Sequence, residues 1–139
     1  MTISPRPSKR IAIIGADAAD AEAFRSMIEN AHYRTAVYSS LSELKDGLAA
    51  DAFMAVILDA DSISLDNSII RKLKASNPAV HFLLASREHF HPELQESISH
   101  ILYACLKKPA DSDEIIFLLK SIWNVAPGGY LNVPEGETG

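Results

Sequence analysis

A doubly wound α/β domain, with one parallel sheet covered by helices on both faces, is the fold class this sequence predicts. From about residue 9 to residue 125, short apolar runs alternate with segments of helical period, and the count comes to five strand–helix units. The runs are apolar almost without interruption, as strands buried on both faces must be. The chain has 139 residues, 47% of them hydrophobic and 22% charged, which is the size and composition of one domain with one core.

The first run, IAIIG over 11–15, leads into a helix on which Ala21, Phe24, Ile28 and Ala31 share a face, with Asp17 or Asp20 as its N-cap. A strand over 35–38 precedes a helix carrying Leu41, Leu44 and Leu48, entered through Ser40 with Glu43 at capping-box spacing. FMAVIL, 53–58, reads as the central strand and delivers Asp59 at its carboxyl end. The next helix sets Ile69, Ile70 and Leu73 inward and Arg71, Lys72 and Lys74 outward, and ends near Asn77 and Pro78. VHFLLA, 80–85, is the fourth strand. Beyond the polar SREHFHP, Pro92 sits in the first turn of a helix with Leu94, Ile98 and Ile101 on one face, while Glu93, Gln95 and Glu96 face water. A fifth strand covers 103–106. The last helix begins at Asp111 or Ser112, gains Glu114 as a capping partner, buries Ile115, Leu118, Leu119 and Ile122, and stops by Pro127. The expected division is an N-terminal extension over 1–9, the domain over 10–125, and a Pro/Gly-rich tail or linker over 126–139.

A net charge of −5 and a pI near 5.5 argue against direct binding of nucleic acid or an anionic membrane, which relies on clustered Lys and Arg. Cys105 is the single cysteine, so no internal disulfide forms, and the usage suits a reducing cytoplasm. No run approaches the roughly eighteen apolar residues of a membrane span, and MTISPRPSKR lacks the apolar centre of a secretory signal. A cytoplasmic protein is expected.

In open parallel sheets, groups that act on ligands collect beyond the carboxyl ends of the strands. Those ends here offer 15–17, 59–61, Ser86, and Lys107 with Lys108. A carboxylate, a hydroxyl and a lysine on three strand ends suit phosphoryl chemistry. The first can accept the group, the second can hydrogen-bond its oxygens, and the third can neutralise its charge.

On these residues the stretch over 10–125 resembles the receiver domain of two-component response regulators. VILD, ending in Asp59, is similar to the phosphoacceptor strand, LLAS, ending in Ser86, to the switch-hydroxyl strand, and LKKP to the Lys-Pro signature with Lys108 as its lysine. The resemblance implies a (βα)5 flavodoxin-like fold of strand order 2-1-3-4-5, with Asp59 as phosphoacceptor, Ser86 as switch hydroxyl and Lys108 as the partner of phosphate or carboxylate. It implies a cis peptide before Pro109. It also implies partners: a histidine kinase or phosphotransfer protein, and an output domain, protein partner or second copy in a homodimer. These last would meet the face made by the fourth helix, fifth strand and last helix.

The departures from that family matter as much. Two adjacent carboxylates that hold Mg²⁺ should follow the first strand, but Gly15 and Ala16 stand there and Asp17 falls one position late. Asp59 and Asp17 are then the remaining candidate metal ligands. Mg²⁺ needs near-octahedral oxygen coordination, so weak binding is expected. Asp61 falls where the family supplies a backbone carbonyl. Ile63 replaces a Pro, Asp66 and Asn67 replace an Asp-Gly turn that Asn can imitate, and Cys105 replaces the aromatic of the switch. A small thiol cannot reproduce a swinging ring.

Two readings of function follow: a receiver accepting phosphate on Asp59, or a pseudo-receiver in which Asp59 pairs with Lys108 and the fold serves protein interaction. Gly15, Ala16, Ile63 and Cys105 favour the second. A small-ligand-binding or enzymatic domain on the same architecture is the alternative. GADAADAE lacks both G-x-G-x-x-G and the P-loop pattern, and no G-x-S-x-G elbow occurs, so a non-enzyme is expected. Other residues have plain readings. Asp17 is a helix cap before it is a ligand. His89 and His91, flanking Phe90, have metal-ligand spacing but no third ligand nearby, and read as solvated loop residues. His32 and His100 suit helix C-termini. Cys105 reads as a small core residue rather than a redox sensor. Trp123, with Tyr130, reads as partly buried packing.

Overall fold

The five apolar runs become β1 (Arg10–Ile14), β2 (Arg34–Tyr38), β3 (Ala55–Asp59), β4 (His81–Ser86) and β5 (Ala104–Lys107). All neighbours pair in parallel, in the order β2-β1-β3-β4-β5, as expected. Between them run α1 (Ala18–Asn30), α2 (Leu41–Ala50), α3 (Asn67–Ser76), a 3₁₀ turn (Pro92–Leu94) leading into α4 (Gln95–His100), and α5 (Ser112–Val125). This computed structural model describes residues 8–88 and 91–125. The ends of the chain, with Tyr130 and Pro127, and the pair His89 and Phe90 lie outside the described residues.

Strand periodicity splits the core into two layers. Ile11, Ile13, Ile57 and Leu83 face Phe24 and Ile28 of α1 and Ile115, Leu119 and Ile122 of α5. Ala12, Ile14, Val56, Leu58, Phe82 and Leu84 face Leu44 of α2, Ile70 and Leu73 of α3, and Leu94. Each such buried side chain contributes roughly 1.5–3 kcal/mol. β3 lies at the centre because all five of its side chains can be buried, whereas β2 carries exposed Arg34 and Val37 and can only be an edge. Phe53 and Met54, expected at the start of β3, are buried just ahead of the pairing that begins at Ala55.

The caps follow from short polar side chains. Asp17 Oδ1 accepts from the Asp20 N–H at 3.0 Å and starts α1; Ser40 Oγ accepts from the Glu43 N–H at 3.2 Å and starts α2. Glu43 reaches one residue further back than a capping box would, to the Ser39 N–H at 3.0 Å. Asp111 Oδ1 accepts from the Asp113 N–H at the start of α5. His32 closes α1 at φ 72°, a left-handed conformation, and Gly47 inside α2 lies so close to the Tyr38 ring that a side chain there would overlap it. The Lys108–Pro109 peptide is cis.

Four expectations need correction. Cys105 is exposed on β5, an edge strand that leaves one face open, and is not a core residue. Lys74 is half-buried and donates to the Val80 carbonyl at 2.7 Å, so it closes the α3–β4 loop rather than extending into water. Leu118 is only partly buried. Asn67 is no turn residue: Asp66 caps α3 through the Ile69 N–H, and Asn67 begins the helix. Its Oδ1 accepts from the backbone and hydroxyl of Ser97, and its Nδ2 donates to the Glu93 carbonyl at 3.0 Å. One side chain thereby fixes the entry of α4, a helix of six residues too short to hold itself. Ser97 is fully buried and depends on this partner. Asn67→Ala is therefore expected to cost about 1–3 kcal/mol in urea unfolding, the penalty of a buried polar group left unpaired. Faster amide exchange should be confined to α4.

Candidate functional site

Four of the five strands end by placing a group at the same rim. β1 delivers Gly15, β3 Asp59, β4 Ser86 and β5 Lys108, so the three predicted site residues do converge. Asp59 and Lys108 are almost wholly buried, their side chains 5% and 2% exposed, with Lys108 Nζ 2.5 Å from Asp59 Oδ1. A bare pair would suffice for neutrality, but the ammonium has two further carboxylates: Asp20 Oδ2 at 2.8 Å and Asp61 Oδ2 at 3.2 Å. Three carboxylates converge on one nitrogen.

The excess negative charge is met by Arg87, the residue after Ser86. Its guanidinium grips Asp20 through both terminal nitrogens, at 2.9 and 3.1 Å, and reaches Asp61 at 3.4 Å, while its backbone N–H donates to Asp61 Oδ2 at 3.0 Å. Planar, two-point contact of this kind is the strong form of an arginine–carboxylate pair. The bonds from Arg87, and then those from Lys108, hold the Asp20 carboxyl down at about 2. Burial would raise Asp61, but the Arg87 N–H, Ser86 and Lys108 outweigh it and keep its carboxyl below the usual range. Burial would likewise lower the Lys108 ammonium, yet its bonds to Asp20, Asp59 and Asp61 raise it above the ordinary value. The charged forms of Asp20, Asp61, Arg87 and Lys108 are thus each stabilised by their neighbours.

Both oxygens of Asp59 accept further bonds. Oδ1 accepts from the Asp61 N–H at 3.0 Å, and Oδ2 from the Ser62 hydroxyl at 2.8 Å, which in turn accepts from the Ala16 N–H at 2.9 Å. Ser62 thus ties the loop after β1 to the acid. Gly15 is needed for this approach, because a Cβ there would fall 2.9 Å from Asp59 Oδ2 and 3.0 Å from its Cβ. Ser86 Oγ donates to Asp61 Oδ1 at 3.0 Å, accepts from the Glu88 N–H at 2.9 Å, and lies 3.0 Å from His91 Nε2. His91 is consequently no solvated loop residue: its side chain is 12% exposed and bonded into the site.

As arranged, these residues do not fit a Mg²⁺ ion. The point on which the carboxylates converge is occupied by Lys108 Nζ, Gly15 and Ala16 contribute no oxygen from a side chain, and Asp17 is spent on the cap of α1. Among the described residues no cluster of three or more His, Cys, Asp or Glu has metal-binding geometry. Beside the acid cluster, Cys105 borders a cavity of about 330 Å³ between β4, β5 and α4, walled by Leu84, Leu106 and Ile98 with Ser86 and His91 at its edge.

Asp20, Ser62, Arg87 and His91 complete the site without a motif to mark them. Asp20 has the appearance of a capping residue and Arg87 of an exposed loop residue; their pairing spans 67 positions. The surplus of Asp17, Asp59 and Asp61 over Lys107 and Lys108 at the strand ends was the available signal, since a buried carboxylate needs a cation.

No protein-family model matches the chain, and no curated protein matches it in sequence. Solved structures do match in fold. The signal receiver domain of an HD domain-containing protein from Pseudomonas fluorescens superposes with a TM-score of 0.75 at 17% identity, over 89% of this chain and 91% of that one. A CheY-like response regulator receiver domain protein from Methanospirillum hungatei gives 0.74 at 15% identity, over 84% and 94%. Full-length FixJ from B. japonicum gives 0.71 at 20% identity, over 81% of this chain and 56% of FixJ. The chain therefore has the receiver fold. No described helix is long and apolar enough to cross a membrane.

Proposed function

We propose that this chain is a receiver-like regulatory module of two-component signalling whose acid pocket is closed by its own cations, so that it works as a phosphorylation-independent pseudo-receiver through protein contacts. The observation that carries this reading is the engagement of Lys108 by Asp20, Asp59 and Asp61 together, with Arg87 across the rim. Phosphoryl transfer to a carboxylate needs an oxygen free to attack and a cation free to take the charge of the incoming group. Here Asp59 already accepts three bonds, and both cations are spent on carboxylates. The hydroxyl of Ser86 is committed to Asp61. The fold likeness supports a regulatory rather than an enzymatic role, with the face of α4, β5 and α5 meeting an output domain, a protein partner or a second copy.

The second reading, an active phosphoacceptor served by a histidine kinase or phosphotransfer protein, is favoured by the convergence of Asp59, Ser86 and Lys108 on one rim. Titration with Mg²⁺ and beryllofluoride, followed by backbone NMR, separates the two. The closed pocket predicts no saturable shift at the amides of Asp59, Ser86 and Lys108 at millimolar ligand. A saturable, Mg²⁺-dependent response that disappears in Asp59→Asn would give the pocket to the second reading.

A further inference from the structure

We propose that Ser86 and His91 form a hydrogen-bond relay that reports to Glu93, at the entry of α4, whether Asp61 is seated in the acid cluster. This deepens the regulatory reading above and rests on it. The chain of contacts runs from Lys108 Nζ to Asp61 Oδ2 at 3.2 Å, from Asp61 Oδ1 to Ser86 Oγ at 3.0 Å, from Ser86 Oγ to His91 Nε2 at 3.0 Å, and from His91 Nδ1 to Glu93 Oε2 at 3.6 Å.

Its polarity is forced. A hydroxyl has one proton and two lone pairs. Asp61, held ionised by Lys108 and Arg87, only accepts, so the Ser86 proton goes to it. The two lone pairs then take the Glu88 N–H and His91 Nε2, and Nε2 must carry a proton. With the ring proton on Nε2, a neutral ring turns the lone pair of Nδ1 toward the Glu93 carboxylate, 3.6 Å away, a separation too long for a hydrogen bond.

When Asp61 leaves Ser86, drawn away with Lys108 or displaced by a partner, the hydroxyl proton is released and turns to His91 Nε2. Nε2 gives its proton to solvent and Nδ1 takes one from solvent, so the ring stays neutral with its proton on Nδ1, where it can donate to Glu93 and draw in the turn Pro92–Leu94 from which α4 departs. The neighbouring cavity, left open by Cys105, gives the ring and this turn room to shift. A receiver without a switch aromatic thus keeps a route from its acid cluster to its α4 surface, with an imidazole tautomer in place of a ring rotation.

The test reads the ring nitrogens of His91 by ¹⁵N NMR above pH 8, where an ordinary imidazole is neutral. Wild-type protein should carry the proton on Nε2. Asp61→Asn should carry it on Nδ1, because Asn turns its carbonyl to Lys108 and its NH₂ to Ser86, reversing the chain. Asp61→Ala, which leaves the Ser86 hydroxyl without its acceptor, should do the same and serves if the Asn variant folds poorly. The Glu93 amide should move with the tautomer, and in a His91→Gln background, whose carboxamide can bond Ser86 but has no second ring nitrogen, its response to Asp61→Asn should fall at least threefold. The same tautomer in wild type and in either Asp61 variant, or an undiminished Glu93 response in His91→Gln, overturns the relay. No metal or phosphate analogue enters these measurements, so their failure leaves the closed-pocket reading intact, and a beryllofluoride-responsive pocket leaves the relay to its own test.

Discussion

Lys108→Met is expected to lower the free energy of unfolding at pH 7 by about 3–5 kcal/mol, the scale found when one partner of a buried ion pair is removed. Met keeps the length and most of the volume, so the change isolates charge. It leaves Asp59, 5% exposed, with no cation in contact, and Asp20 and Asp61 with Arg87 alone. Arg87 is 55% exposed and its pull is screened by solvent, so it replaces only part of what is lost. The pH dependence should identify the cause. Asp20 has its carboxyl depressed to about 2 from 3.8, so its contribution in the wild type is present above pH 3.8 and is lost as pH falls toward 2. The raised Lys108 ammonium contributes throughout the neutral range, and its contribution is lost only as pH rises through its raised folded value, above the ordinary 10.5. Carboxylates stripped of their ammonium take up protons more readily, so acidification relieves the variant before it harms the wild type. Urea unfolding at pH 7 and pH 4.5 should show the deficit shrinking by roughly half or more. An equal deficit at both values would assign the loss to packing, and no deficit at pH 7 would remove the basis for calling the pocket closed.

The convergence of Asp59, Ser86 and Lys108 and the cap at Asp17 could be read from local spacing, because each depends on residues close in sequence or at strand ends, whereas the sheet order and the cis peptide at Pro109 followed from the resemblance to receiver domains. Central strands declare themselves by unbroken apolar runs, and strand ends fix where polar groups emerge. The rest depends on side chains that reach across loops. Asp20 could be counted as a helix cap, but nothing local shows it turning from α1 to Lys108, a contact across 88 positions. Arg87 and His91 follow β4 in a stretch with the composition of any polar loop, and only the unsatisfied charge of the Asp cluster selects them. Cys105 was legible as a substitution for an aromatic but not as an exposed thiol, since exposure on an edge strand depends on how α4 is seated, and α4 is seated by Asn67 from another helix. That Gly15 and Ala16 bring no carboxylate to the site was visible; that Asp20 and Asp61 turn theirs to Lys108 was not.

The convergence of three carboxylates on Lys108 makes the double substitution Gly15→Asp with Ala16→Asp a sharp test of how the site is balanced. A carboxylate on the loop after β1 would supply the missing oxygen ligands, yet the Cβ at position 15 would lie 2.9 Å from Asp59 Oδ2. Asp59 cannot yield freely, being held by Lys108, the Asp61 N–H and Ser62. In the absence of divalent cations the variant is therefore expected to be less stable by about 1–3 kcal/mol from overpacking alone, with repulsion among the added carboxylates deepening the loss. Mg²⁺ should then act as a ligand of the folded state only, restoring about 2.7 kcal/mol at a concentration one hundred times its dissociation constant. Wild-type protein, whose carboxylates already converge on Lys108 and Arg87, should gain nothing measurable under the same conditions. Urea unfolding of both proteins in chelator and in 10–20 mM Mg²⁺ (a range set at roughly one hundredfold a sub-millimolar constant) reads the comparison directly. Equal stabilisation of wild type and variant would mean that Asp20 and Asp61 release Lys108 to bind metal themselves, and the internal cations would then be a resting arrangement rather than a permanent closure.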